Sequence, residues 1–251
     1  MTKFTSLMEL TAEQWRQALE LPEADIPDIV IVEGSWWREQ RTRWRLSYLA
    51  EVRELKFPDI YWGRWHDKKV AFCCVYGAPR AVEIIHLFGI LGAKLAVQIG
   101  TCGGLQSHLK TGDIVLPEVA LCREGVAQLY GAIDSVIGSI EWISQAQELL
   151  AKRGHQTYQG THLTWAALFP QTAKMIETWS RAGFLSVDME TATTFAVAEY
   201  FRIPALSMLV VWDDLTRNRS FLDPLSTEEL AALDKGNQAV FEVALELAGQ
   251  L

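Results

Sequence analysis

The stretch Ile29-Val30-Ile31-Val32-Glu33-Gly34 decides the fold class, because four β-branched residues in a row leave neither face of a strand polar. A strand that is apolar on both faces needs cover on both, the condition of a parallel sheet lying between layers of helices. The run predicts a buried strand over Asp28–Val32, bounded by Gly34. Outward from it the chain alternates. Strands are expected at Val70–Val75, Leu95–Ile99, Ile114–Leu121, Gln156–Thr164 and Ala205–Val211. Helical patterns fall at Arg38–Leu55, at Arg80–Leu91 with Pro79 just inside its start, and at Glu141–Arg153, closed by Gly154. Two more cover Thr172–Ala182, ending at Gly183, and Met189–Phe201, stopped by Pro204. Ser226-Thr227-Glu228-Glu229 has capping-box spacing and opens a last helix towards Leu247. This alternation predicts an α/β sandwich. Residues 1–27 read as an N-terminal helical extension, with Thr11 capping a helix over Thr11–Leu21, and residues 28–251 read as a single domain.

A chain of 251 residues can bury a sizeable core, and 49% hydrophobic with 22% charged residues is an ordinary globular balance. A formal charge of -8 disfavours binding to a phosphate backbone, so no nucleic-acid partner is expected. Arg38, Arg41, Arg43 and Arg45 form a local basic cluster that can oppose that sign for a small anion. Cys73, Cys74, Cys102 and Cys122 show no metal-ligand spacing, so neither a metal site nor a disulfide framework is expected, and a reducing compartment is the simplest reading. Met1–Leu10 lacks the form of a signal peptide and no apolar run approaches a membrane span. A cytoplasmic protein with no membrane partner is the expectation.

Chemistry concentrates at Ser186-Val187-Asp188-Met189-Glu190-Thr191-Ala192 and at Val210-Val211-Trp212-Asp213-Asp214. A carboxylate accepts two hydrogen bonds side by side, which suits the vicinal hydroxyls of a ribose, and the Met189 thioether offers a soft surface to the sugar face. A second carboxyl at a strand end can deliver a proton to a leaving group. The plainer alternative keeps Glu190 as a charge favouring the helix dipole and Asp213 as a turn residue, with Asp214 the functional one. Gly100-Thr101-Cys102-Gly103-Gly104 follows a strand and can fold into a nest of backbone N–H groups, with the Thr101 hydroxyl as an extra donor. Gly34 with Arg38 four residues on makes a second anion-binding candidate, and Glu33 can hold a water. Ligands of open α/β sheets settle beyond the carboxyl ends of strands, where Gly34, Thr101 and Asp213 all fall. His108, His155 and His162 have no acid or cysteine beside them in sequence and read as satisfying local hydrogen bonds.

Six pieces in order carry a resemblance: Ile29–Gly34 with Arg38; Gly77-Ala78-Pro79; Ile99–Gly104; Thr111-Gly112-Asp113-Ile114-Val115; Val187–Glu190; and Val211-Trp212-Asp213. The chain resembles the purine nucleoside and uridine phosphorylase family, which also contains nucleosidases of methylthioadenosine and S-adenosylhomocysteine. The resemblance implies a central mixed sheet in a three-layer α/β/α sandwich and phosphorolysis of a nucleoside to base and ribose 1-phosphate. In it Met189 and Glu190 bind the ribose, Leu163, Thr164 and Trp165 line the base, and Gly34, Arg38 and Thr101 hold phosphate. Asp213 assists departure of a purine; Arg217 and Arg219 are nearby candidates to orient it, without a match to the family's own arginine. Gln98 stands at the phosphate side where phosphorolytic relatives carry arginine, so either another cation such as Arg80 or Arg123 compensates or water is the nucleophile. The implied cosubstrate is inorganic phosphate, with no cofactor, and the implied assembly is a trimer or hexamer. A nucleosidase is the first alternative, and a nucleoside-binding protein without turnover is the second.

Overall fold

A computed structural model describes residues 6–217 and 219–251, so the reading of the N-terminal residues falls partly outside it. The described strands are β1 (Ile29–Gly34), β2 (Ala50–Glu54), β3 (Tyr61–Trp65), β4 (Lys68–Val75), β5 (Leu95–Gly104), β6 (Ile114–Arg123), β7 (Ser135–Ile137), β8 (Thr157–Trp165), β9 (Ser186–Asp188) and β10 (Ala205–Asp214). The helices are α1 (Ala12–Ala18), α2 (Arg38–Leu46), α3 (Ala78–Leu91), α4 (Ile140–Lys152), α5 (Ala173–Arg181), α6 (Thr191–Tyr200) and α7 (Thr227–Ala248). All ten strands belong to one mixed sheet of order β10-β6-β8-β9-β5-β1-β4-β3-β2, with β7 on β6. Because β10 also pairs with β5, the strands β5, β10, β6, β8 and β9 close on themselves. Every residue of β1 is buried, as its β-branched run requires.

Alternation along β1 explains both helical layers. Val30 and Val32 face a core shared with α3 and α6, whereas Ile29 and Ile31 face one shared with α4 and α7. The same alternation sends Glu33 towards α2 and brings Gly34 to the side on which α6 begins. The helix α1 carries a capping box between Thr11 and Gln14, and Leu19 and Leu21 just after it join the α3/α6 core.

One expected helix is wrong in its second half. The pattern over Arg38–Leu55 ends as helix at Leu46, and Ala50–Glu54 is an antiparallel edge strand on β3. Glu51 takes a left-handed backbone (φ 52°) where the register shifts, a conformation that a helix does not admit. The side chains of this strand are exposed, so charged residues carry no burial periodicity that separates strand from helix. The strands β3, β7 and β9 were not expected either; β7 and β9 have three residues each, too few to show a period.

A candidate active site at the strand ends

The carboxyl ends of β1, β5 and β10 come together, with Gly34 beside Gly100 and Asp213 beside Gly103. Beyond them opens a cleft. Gly34, Thr101, Met189, Glu190 and Asp213 all lie on its wall, together with Asp188. Trp36, Trp37, Tyr76, Leu168, Trp212 and Phe221 line it as well. The cleft thus combines carboxyls with aromatic rings, the two kinds of surface that a sugar and a flat base require.

Glu190 occupies the N-cap position of α6, and its carboxyl turns away from the helix into the cleft. Gly77 N–H donates to its Oε1 at 2.5 Å and Met189 N–H to its Oε2 at 3.3 Å. Burial first, and the nearby charge of Asp188 second, push this carboxyl up to about 8, while the two N–H groups oppose the rise. A carboxyl raised in this way favours its protonated form, which donates from one oxygen and accepts at the other.

Gly34 leaves room for that placement. A Cβ built on it would lie 2.8 Å from Glu190 Oε2, inside contact distance. Gly34→Ala is expected to displace the carboxyl and lower kcat/KM by roughly 10–100-fold, since small misplacements at a reacting centre are costly. Steady-state rates beside a melting curve test this; an unchanged kcat/KM in the folded variant would show that Glu190 needs no such clearance.

Asp213 sits half-buried at the end of β10 and lines the same cleft. Burial pushes its carboxyl up to about 7, Asp214 and Asp223 adding to the rise and backbone N–H groups of Asp213 and Phe221 opposing it. The neighbouring Asp214 is not an alternative acid for the cleft. It accepts from Thr216 N at 3.1 Å and Thr216 Oγ1 at 2.6 Å and pairs with Arg217 at 3.0 Å. Arg219 pairs with Glu229, so neither arginine orients Asp213.

Several residues expected at the site lie elsewhere. Leu163 packs in a small core with Trp179 and Val187, and Trp165 stands 5.2 Å from Trp179, centroid to centroid. Thr164 is buried, donating to Asp188 Oδ1 at 3.0 Å and accepting from Ala192 N at 2.8 Å. None of the three lines the cleft, because β8 closes towards β9 and turns them into the packing behind it. Arg38 is exposed at the start of α2, on a neighbouring hollow. Gln98 is fully buried: its Nε2 donates to Asp188 Oδ2 at 2.9 Å, and its Oε1 accepts from Ser207 Oγ at 2.7 Å. It has no surface to offer an anion.

The other basic candidates are also engaged away from the cleft. Arg45 grips buried Glu33 through two hydrogen bonds of 2.8 and 2.9 Å, with Arg41 at 3.8 Å, so Glu33 holds cations and not a water. Arg43 pairs with Glu39, Arg80 with Glu83, and Arg123 bonds the Cys122 carbonyl. Among the described residues that line the cleft there is no lysine, arginine or histidine.

The family model of the phosphorylase superfamily matches residues 38–247. The chain belongs to this superfamily. It is 26% identical to a DeoD-type purine nucleoside phosphorylase of Caldanaerobacter subterraneus subsp. tengcongensis, across 90% of this chain and 97% of that one. A DeoD-type enzyme of Alkaliphilus metalliredigens is 27% identical over 54% of this chain and 59% of its own length. Among solved structures, a uridine phosphorylase from Vibrio fischeri superposes with a TM-score of 0.79 at 19% identity, covering 92% of this chain and 95% of that one. The mixed sheet with helices on both faces is thus the fold of that structure.

Within this superfamily member, the sequence did not reveal the aromatic wall. Trp36 lies 5.1 Å from Tyr76, 6.0 Å from Phe169 and 6.4 Å from Phe221, rings from four different loops. The doublet Trp36-Trp37 at a strand end was the one available signal. His162 satisfies its hydrogen bonds as expected, though not locally: its Nε2 lies 2.8 Å from Asp188 Oδ1, a partner distant in sequence that the parallel pairing of β8 with β9 brings alongside. Among the described residues no helix is long and apolar enough to cross a membrane.

Proposed function

We propose that this chain cleaves the N-glycosidic bond of a purine nucleoside, with water as the attacking group in the cleft of the single chain. The observation that carries the reading is the meeting of two carboxyls with raised proton affinity, Glu190 and Asp213, on one cleft wall. Glu190 takes the two ribose hydroxyls and Met189 underlies the sugar. As the bond from the anomeric carbon to the base breaks, its electron pair leaves with the purine, and Asp213 gives a proton to a base nitrogen. The anomeric carbon becomes cationic, and a water entering beside Gly34 and Thr101 bonds to it and loses a proton to bulk water. The Asp213 carboxylate left by that transfer, with the Asp188 carboxylate behind it, favours the cationic state.

Phosphorolysis is the second reading. It is supported by membership of the superfamily and by the expected homo-oligomer, in which a neighbouring copy can add a cation to the site. Against it stands the described lining of the cleft, which has no basic side chain to neutralise an entering anion. The deciding experiment incubates purine and pyrimidine nucleosides with and without phosphate and identifies the sugar product. Free ribose from purine nucleosides at a phosphate-independent rate is expected. Ribose 1-phosphate formed in proportion to phosphate would replace the first reading with the second, and no cleavage of any nucleoside would leave a binding protein.

A further inference from the structure

The turn Thr111-Gly112-Asp113, between β5 and β6, belongs to one of the six matching pieces of sequence and has no part in the chemistry proposed above. It bonds to the end of β10 three times. Gly112 N–H donates to the Val211 carbonyl at 2.9 Å, Val211 N–H donates to the Asp113 carbonyl at 2.8 Å, and the half-buried Thr111 hydroxyl donates to the Trp212 carbonyl at 2.9 Å. The turn is itself fixed in place. Gly112 has a left-handed backbone (φ 92°), and a Cβ on it would lie 2.6 Å from Ala232 Cβ and 2.8 Å from Ala232 C, so α7 backs it directly. Asp113 Oδ2 accepts from Lys110 N–H at 2.8 Å and closes the turn on its other flank.

The carbonyl that Thr111 holds belongs to an irregular residue. Along β10, Leu209 pairs with Gly100, Val210 with Thr101 and Val211 with Cys102, but the next pair is Asp213 with Gly103, so Trp212 is an extra residue, a β-bulge. Partners on neighbouring strands point to the same face, and a shift of one residue exchanges the faces. Val211 and Cys102 share a small apolar core with Leu209, whereas Val210 and Trp212 pack in the core shared with α7. In an unbroken strand Asp213 would follow Leu209 and Val211 to the small core. The bulge turns it away from them, and it lines the cleft together with Trp212. The position after it falls to Asp214, which is buried against Thr216 and Arg217. One extra residue thus decides which of two adjacent aspartates is free to serve as the acid.

We propose that Thr111 is a positioning residue for bond cleavage: by holding the carbonyl of the extra residue Trp212, its hydroxyl fixes the bulge that turns Asp213 towards the cleft. This rests on the nucleoside reading above, in which Asp213 gives its proton to the leaving base. The extra residue of a bulge has lost its place in the regular ladder, so a bond from outside the sheet limits its motion. Thr111 supplies that bond from a turn that α7 backs. Phe221 N–H meets the Asp213 carboxyl itself, so the two contacts act on different parts of the acid, its side chain and its backbone.

The test compares two substrates on the full chain. A purine nucleoside needs the acid and a nitrophenyl riboside does not, so the ratio of their kcat/KM values reads the placement of Asp213 and cancels general damage to the cleft. Thr111→Val keeps the shape and removes the donor. It is expected to lower that ratio by about tenfold or more, since a small misplacement of a reacting group is costly, with the nitrophenyl riboside nearly unaffected. Thr111→Ser keeps the hydroxyl and is expected to restore the ratio. Should Thr111→Val not fold, Thr111→Ala serves in its place: it admits water to the Trp212 carbonyl but severs the tie to the turn, and the ratio is expected to fall in the same way. An unchanged ratio in a folded variant without the hydroxyl overturns the inference, as do equal losses on both substrates. Crystal structures of the wild type and of that variant give a readout without substrate. The Asp213 carboxyl is expected to move by about 1 Å or more, and an unmoved carboxyl overturns the inference. Absence of nucleoside cleavage in the wild type overturns the functional reading instead, and the crystal structures keep the two failures apart.

Discussion

Glu190→Ala is expected to reduce nucleoside cleavage by roughly three orders of magnitude while the protein stays folded. The carboxyl is the group in the cleft that can meet both ribose hydroxyls, so its loss removes the orientation of the sugar and the hydrogen bonds that strengthen as positive charge develops. Its structural role is small by comparison. It accepts only from Gly77 N–H and Met189 N–H. Glu190→Gln keeps the shape and the pairing of one donor with one acceptor, so it is expected to retain more activity than the alanine variant. Rates and melting curves of the two variants are the measurement. A well-folded alanine variant with near-normal turnover would remove Glu190 from the sugar site.

Asp213→Asn is expected to slow purine nucleosides by roughly 10²–10⁴-fold, the range for losing a general acid. Substrates whose base departs unaided, such as a nitrophenyl riboside, are expected to be nearly unaffected. Equal losses on both substrate types would assign Asp213 another role. The pH dependence carries the same information. The acid must be protonated to act, and burial raises Asp213 to about 7, so the acid form is present below that pH and is lost as pH rises through it. In wild type kcat/KM for purine nucleosides is therefore expected to fall above about pH 7. Asp213→Asn is expected to lack that limb, and the nitrophenyl riboside to lack it in both proteins.

The local parts of the fold were legible because their signals are local. A β-branched run marks a strand buried on both faces, and a capping box marks a helix start, as Ser226 with Glu229 does in α7. The edge strand β2 escaped because its side chains face solvent, where propensity decides little and pairing with β3 decides all. Site residues divide in the same way. Gly34, Thr101, Met189, Glu190 and Asp213 end strands or begin a helix at the same edge of the sheet, so motif and topology place them together. Leu163, Thr164 and Trp165 occupy a strand that runs towards the site, but the closing of β8 onto β9 turns their side chains into the packing behind it.

By itself the amino-acid sequence determined the α/β class, most helix boundaries and the two carboxyls of the cleft, because each depends on residue type and on spacing along the chain. Tertiary structure alone decided which charges remain for a ligand. Arg41 and Arg45 are taken by Glu33, and Gln98 and His162 are taken by Asp188, through contacts between side chains far apart in sequence. Charge pairing inside a protein is set by distance in space and by burial, which no local pattern records. The cleft is acidic for that reason, although a basic cluster begins four residues beyond Gly34.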